Sequence, residues 1–306
     1  MLVNGGAGFI GIHLVDRLVD AGHDVTVLDN FSTGRLSNIS NSLSRRNFRL
    51  VRADVRRIPR SFAKRLKRVD RVVHLAAATS VQESIRDPVH TTEVNVTGTL
   101  NVLKTAKALK AERVILASSA AVYGKPRTFP IAEDTPLAPI SPYGASKAAC
   151  EHYLASFEEN HGVEAVSLRL FNVYGPRQTA SQYAGVISIF AKRSLQEKPL
   201  QIYGDGSQTR DFVFVSDVVD ATVNALEKDP KSRVFNIASG REITILELAK
   251  NIGEISGTHS RLEFRPPRSG DIIRSVADAT RARNELGFSA KTTMTDGLSA
   301  TLQWFK

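Results

Sequence analysis

The chain has 306 residues, of which 42% are hydrophobic and 24% charged, so it can bury a sizeable core in one large domain or two modest ones. No apolar run approaches the roughly 20 residues that span a bilayer, and the single cysteine, Cys150, excludes an internal disulfide and a cysteine-built zinc cage. The formal charge of +10 suits an anionic ligand.

The basic residues are densest from Arg45 to Arg71. No RNA-binding signature or helix of interleaved Lys/Arg and aromatics accompanies them. They are read as a solvated surface whose field favours a dianionic pyrophosphate ligand, with neither nucleic acid nor membrane as a partner. The seven histidines lack metal-ligand spacing, so no metal site is expected. Cys150 is read as packing. The first residues, MLVNGGAGFIG, carry no basic leader pattern, and a cytoplasmic location is expected.

Strand-like and helix-like segments alternate through the first half, which predicts a parallel sheet covered by helices. Met1–Val3 reads as a strand and Phe9–Ala21 as a helix with Ile10, Leu14 and Leu18 on one face. Further strands are predicted at Asp24–Leu28, Phe48–Val51, Arg71–Leu75, Val114–Ala117 and Ala165–Leu170. Thr91–Lys110 and Tyr143–Asn160 read as long helices. Lys125–Pro142 and Arg265–Gly270 carry prolines and read as loops. Later helices are predicted near Ser181–Gln196, Ser216–Glu227, Ile245–Ile255 and Thr280–Leu286. The expected architecture is α/β: a doubly wound parallel sheet over residues 1–170, then a smaller α/β substrate domain over 171–306. Part of that second half, about 212–237, is expected to return to the main sheet.

GGAGFIG places Gly5, Gly8 and Gly11 between a strand and a helix, with Phe9 and Ile10 opening that helix. Glycine permits the tight turn and the close approach of backbone to a pyrophosphate, and the helix N-terminus attracts the anion. Asp29 ends the second predicted strand, 21 residues after Gly8. A carboxylate there accepts ribose hydroxyls and repels a 2′-phosphate, which favours NAD over NADP. Arg35 lies close in sequence and is read as a surface residue. Asp54 and Val55 follow the third strand, where an adenine contact fits; a plain turn or cap at Asp54 is the alternative.

SPYGASK sets Tyr143 and Lys147 four residues apart, on one helical face. A free phenol titrates near pH 10, about three units above neutrality, and a neighbouring ammonium favours its phenolate. Such a tyrosine can exchange a proton with a sugar hydroxyl. Ser118 and Ser119 close the strand VILASS, whose carboxyl end faces a cofactor cleft in this architecture. Ser80, after HLAAAT, is a possible sugar contact or a loop cap.

Together these segments resemble the extended short-chain dehydrogenase/reductase family, with its Rossmann-type sheet, and most closely the UDP-glucose 4-epimerases. The resemblance runs over essentially the whole chain. It rests on GGAGFIG, VLDN, HLAA, Asn95 in VNVTGTLNVL, SSAAVYG, YGASK, RLFNVYGPR, TRDFVFVSDV and RSGDIIRSVAD. It implies bound NAD, a UDP-sugar substrate and a homodimer. It further implies Tyr143 as acid and base, Lys147 on the nicotinamide ribose and Ser119 assisting. Asn30, Leu75, Ala76, Ala77, Asn95 and Ser118 join the cofactor site. Asn172 would hold the nucleotide sugar, Arg210 and Arg268 the pyrophosphate, and Asp271 the uridine ribose. Asn4, Ile12 and Leu170 depart from residues common in the family.

Family 4,6-dehydratases resemble STDEVYG, and decarboxylases also carry a glutamate there. Ala120 and Ala121 stand at those positions, which favours epimerisation at C4. Ser275, four residues past Asp271, is small and implies tolerance of N-acetylated sugars. The alternatives are a 4,6-dehydratase or reductase of the same fold, and a non-catalytic NAD sensor.

Overall fold

The computed structural model describes residues 1–66, 68–179, 185–258, 260–267 and 272–306. Twelve strands are found among them: β1 (Leu2–Asn4), β2 (Val25–Asp29), β3 (Phe48–Arg52), β4 (Arg71–His74), β5 (Arg113–Ser119), β6 (Glu164–Leu170), β7 (Asn172–Tyr174), β8 (Leu200–Tyr203), β9 (Thr209–Phe214), β10 (Val234–Ile237), β11 (Glu242–Thr244) and β12 (Leu262–Arg265). No helix among the described residues is long and apolar enough to cross a membrane.

Seven strands form one sheet in the order β10-β6-β5-β4-β1-β2-β3. The pairs β1/β2, β1/β4, β2/β3 and β4/β5 are parallel. Parallel pairing needs crossover helices, and these bury both faces of the sheet. That is why β1 is buried at all three positions and why Leu28, Val72, Val114 and Leu116 join Val102, Leu103, Ala106 and Leu154 in one apolar cluster. Each such valine or leucine side chain contributes about 1.5–3 kcal/mol on burial. The chain reverses its order of strands between β1 and β4. In open α/β sheets, ligands bind beyond the carboxyl ends of strands at such a switch point.

By contact the chain divides into two compact units whose segments interleave. One comprises Met1–Gly124, Pro136–Arg169 and Val219–Phe235. The other comprises Lys125–Thr135, Leu170–Val218 and Asn236–Lys306. The second unit contains a three-stranded sheet, β11-β9-β7, and a parallel pair, β12/β8. Its core gathers Tyr174, Phe190, Leu200, Ile202, Leu248, Ile252, Leu298 and Leu302.

Strands β7–β12 and several short helices were not given in the sequence reading, and three helical regions also differ from it. The helix expected over Thr91–Lys110 is broken: a helix over Pro88–Thr92 passes through a π-helical turn, Glu93–Thr97, into a helix over Gly98–Ala108. Thr280–Leu286 likewise holds a π-helical turn, Ala282–Leu286. A helix over Met294–Phe305 was not expected, because its Thr and Gly content gives weak propensity. Tertiary packing decides it: Leu298 and Leu302 are buried, and a Cβ added at Gly297 would lie 2.2 Å from the Tyr174 hydroxyl. The part of the predicted helix Ser181–Gln196 that is described runs Val186–Leu195.

Candidate active site

The glycine turn sits at the switch point of the first unit. Gly5 has φ +80°, and a Cβ there would lie 2.6 Å from the Ala76 nitrogen. A Cβ on Gly11 would lie 2.2 Å from the Gly5 carbonyl oxygen. Both positions therefore require glycine. The same contacts seat the turn against Leu75 and Ala76, just past β4. The helix Phe9–Asp20 starts at Gly8 without a side-chain cap and without an acidic residue in its first turn. Its first N–H groups and its positive end are thus available to a phosphate.

Asp29, 7% exposed at the end of β2, closes this turn. Its Oδ2 accepts the Ala7 N–H at 2.9 Å and its Oδ1 accepts the Phe31 N–H at 2.8 Å. The remaining lone pairs suit two ribose hydroxyls. Asn30 donates from Nδ2 to Asp54 Oδ2 at 3.0 Å. Asp54 also accepts the Arg56 N–H and is paired with the Arg56 guanidinium, which holds its carboxyl well below the usual range. Val55 begins the next turn and is buried. A glycine cradle, an uncapped helix end and a carboxylate at the strand end together fit a dinucleotide.

Asn95 lies in the π-helical turn, and that turn explains its setting. The extra residue per turn widens the helix and aims the side chain inward, a device common at functional sites. Its Oδ1 accepts the Ala78 N–H at 2.8 Å. Its Nδ2 donates to the Ala78 carbonyl at 3.1 Å and to Ser146 Oγ at 2.9 Å. Ser146 in turn donates to the Tyr143 carbonyl at 2.7 Å. Asn95 therefore joins the segment after β4 to the helix that bears the tyrosine. Beneath it, Thr99 donates to the Asn95 carbonyl at 2.5 Å and meets His74 Nε2 at 3.1 Å. Desolvation, and secondarily the Lys147 ammonium, push the His74 imidazole down to about 3, so it is neutral.

Tyr143 and Lys147 lie on the helix Pro142–His161, which Ser141 caps by accepting the Gly144 N–H at 3.1 Å. Lys147 is buried and donates to the Ala117 carbonyl at 2.7 Å, near the end of β5. A Cβ on Gly144 would lie 2.5 Å from the Ala121 carbonyl oxygen, so the helix start presses on the turn after Ser119. Ser119 Oγ accepts the Ala121 N–H at 3.2 Å and keeps its proton for another partner. Ser80 caps a short helix by accepting the Glu83 N–H at 3.1 Å.

The Ser118 hydroxyl is buried and donates to Glu151. Glu151 and its partner Arg169 were not singled out in the sequence. The available signal was position: Glu151 stands one turn past Lys147, on the same face.

In the second unit, Asn172 opens β7 and donates to the Asp211 carbonyl at 3.1 Å. Arg210 donates to the Ile272 carbonyl at 2.6 Å. Arg268 and Asp271 lie outside the described residues. Ser275 is buried. Asp211, also not foreseen, accepts from the Ser239 N–H, the Ser239 hydroxyl, the Gly240 N–H and the Ala277 N–H. It is fully buried, and burial pushes its carboxyl up while those bonds pull it down. It pins the segment of Ser275 to that of Asn172 and Arg210.

A strand order with its switch point at a glycine turn, and a Tyr-Lys pair on the helix beside it, define a dinucleotide-dependent α/β enzyme class. The chain belongs to the NAD-dependent epimerase/dehydratase family: the family model described as GDP-mannose 4,6 dehydratase matches residues 2–301. A UDP-glucose 4-epimerase of Mycolicibacterium smegmatis is 39% identical over 306 residues, covering all of this chain and 98% of that protein. A UDP-glucuronic acid decarboxylase 4 of Arabidopsis thaliana is 37% identical over all of this chain and 68% of that protein. The structure of a UDP-glucose 4-epimerase of Thermus thermophilus in complex with NAD superposes with a TM-score of 0.91 at 37% identity, covering 99% of this chain and 98% of that one.

Proposed function

We propose that this enzyme is a UDP-hexose 4-epimerase that interconverts UDP-glucose and UDP-galactose and also accepts UDP-N-acetylglucosamine. The observation that carries the reading is Lys147, buried and bonded to the end of β5 on the helix face that bears Tyr143. In this reading NAD occupies the glycine turn with its ribose on Asp29, and when bound it supplies the acceptor and the donor of hydride. Tyr143 takes the proton from the C4 hydroxyl and later returns it to the oxygen at C4. Ser119 offers its hydroxyl to the same oxygen. Lys147 keeps positive charge beside the phenol, where charge develops during the transfer.

Elimination and decarboxylation need additional acid–base groups on the turn after β5. Ala120 and Ala121 stand there and supply none. That favours epimerisation over the decarboxylase and dehydratase reactions of relatives. Arg210 and Arg268 are assigned to the pyrophosphate, whose oxygens suit guanidinium groups, Asn172 to the nucleotide sugar and Asp271 to the uridine ribose. Ser275, a small residue, is assigned beside the C2 substituent. Val81, Ile85, Val89 and Tyr153 are large apolar side chains exposed on neighbouring helices of the first unit, and they support a homodimer built on that face.

The test is incubation of the purified enzyme with UDP-glucose, UDP-galactose and UDP-N-acetylglucosamine, following each C4 epimer without added NAD. Interconversion with no net reduction of cofactor supports the reading. A keto sugar or carbon dioxide accumulating instead, or no turnover of any of the three, overturns it.

A further inference from the structure

Residues 35–71 hold thirteen lysines and arginines against two aspartates, a net charge of +11, so the rest of the chain carries −1. The fold places residues 35–66 around one edge of the main sheet. Arg68 and Arg71 instead lie by the interior strand β4 and pair with Asp70 and Glu112, and Arg56 pairs with Asp54 and Glu93. β3 is the terminal strand of the sheet order. Ahead of it come a 3₁₀ turn, Leu36–Ile39, and a single helical turn, Ser40–Leu43; behind it come the turn Val55–Arg57 and the helix Arg60–Leu66. Arg35, Arg45, Arg46, Arg49, Arg52, Arg57 and Lys64 are exposed there. Arg45 meets the exposed Asp20 at 3.2 Å, while Arg35, Arg46, Arg49 and Arg57 have no carboxylate partner among the described residues.

Charged residues on an edge strand block its pairing with other chains, and that accounts for Arg49 and Arg52. It does not account for the flap before the strand. There Leu36 and Leu43 are 52% and 45% exposed. The residues between them are Ser, Asn and Ile, with no acid from Asn30 to Ala53. Arg35, Arg45 and Arg46 bracket the two leucines.

In place of the solvated, membrane-free surface expected from the sequence, we propose that this face docks on an anionic lipid surface, with the arginines on the headgroups and Leu36 and Leu43 entering the acyl boundary. The pairing of exposed leucines with Arg35 and Arg46, which have no carboxylate partner among the described residues, is the composition of an interfacial anchor. A nucleic acid would use the same charge, but it gains from exposed aromatics that stack on bases. The phenylalanines of this stretch, Phe48 and Phe62, are partly and fully buried. Attachment would be reversible and peripheral. The flap is tied to the glycine turn, since Asn38 donates to the Ala7 carbonyl at 2.9 Å.

The experiment is co-sedimentation of the purified enzyme with vesicles of phosphatidylcholine alone, or of phosphatidylcholine mixed with phosphatidylglycerol, at about 0.15 M salt. Two variants accompany it: Arg45→Glu/Arg46→Glu/Arg49→Glu, and Leu36→Ser/Leu43→Ser. Thermal unfolding shows that each is folded. Each basic residue near an anionic leaflet is worth about fivefold in affinity. Reversing three should lower binding about a hundredfold or more, and the leucine pair should lower it about tenfold. Wild-type enzyme should pellet with the anionic vesicles only. The proposal is overturned by equal binding to neutral vesicles, by no binding to anionic ones, or by a leucine variant that binds like wild type. Tighter retention on duplex DNA or single-stranded RNA at matched phosphate also overturns it.

Discussion

Arg169 lays its guanidinium against Glu151, with Nη2 to Oε2 at 2.7 Å and Nε to Oε1 at 3.0 Å, and both side chains are 6% exposed. The pair joins β6 to the helix of Tyr143, one turn beyond Lys147. Glu151 also takes the Ser118 hydroxyl, and Arg169 donates to the Tyr123 hydroxyl at 2.8 Å. The floor beneath the proposed reaction site is thus one connected polar network.

Removing one partner of a buried pair strands the other charge and costs about 3–5 kcal/mol. Arg169→Met should therefore lower unfolding free energy by about that amount in urea titration. Arg169→Met/Glu151→Leu should regain part of the loss, because it strands no charge. A single variant within about 0.5 kcal/mol of wild type would show that the network carries no such role.

Asn95 holds both polar groups of Ala78 and the Ser146 hydroxyl. Asn95→Ala leaves these buried groups short of partners, at about 1–3 kcal/mol of stability. Because Ser146 bonds the Tyr143 carbonyl, turnover should fall more steeply than substrate affinity. Steady-state kinetics separates the two: a change in KM alone would count against a positioning role.

The glycine turn allows a controlled comparison. Gly5 and Gly22 have similar dihedrals, φ +80° and +86°, but a Cβ at Gly22 meets nothing within 4 Å. Gly22→Ala should cost only the left-handed strain, about 1–2 kcal/mol. Gly5→Ala adds a collision with the backbone of Ala76 and should either unfold the turn or expel the cofactor. Equal melting temperatures and equal cofactor content in the two variants would defeat the close-approach argument.

Tyr143→Phe removes the proton-transfer group and keeps the ring. Turnover should drop about 10²–10⁴-fold, while NAD content, measured after denaturing the purified protein, should stay at the wild-type level. Turnover preserved in this variant would assign the proton transfer to another group.

The first half of the fold was readable because its signals are local. Alternation of apolar β segments with helical patterns, GGAGFIG after a strand, and Asp29 at a strand end each follow from neighbours in sequence. The network residues were not readable in the same way. Asp211 and Arg169 look like ordinary charged positions until the fold buries them, and burial is a property of the whole chain. The π-helical turn at Asn95 was hidden because one extra residue barely alters a helical hydrophobic pattern. The helix Met294–Phe305 was missed although Thr293 caps it, because its Thr and Gly residues lower propensity and the packing of Gly297 against Tyr174 is visible only in the fold.

His74 gives the last prediction, a pH dependence of stability. Its folded imidazole titrates at about 3, chiefly through desolvation and then through Lys147. In the unfolded chain a histidine titrates near about 6.5. Between those values the unfolded state binds the extra proton, so acid favours unfolding. The contribution is complete above the unfolded value and declines as pH falls toward the folded one, at up to about 1.4 kcal/mol per pH unit. Asp211, whose carboxyl is pushed up, acts in the opposite sense near the carboxylate range. His74→Gln isolates the histidine: its unfolding free energy, followed from pH 7 to pH 4, should fall less steeply than wild type by about one proton's slope. Parallel curves for the two proteins would mean that the buried ring gains its proton without unfolding the chain.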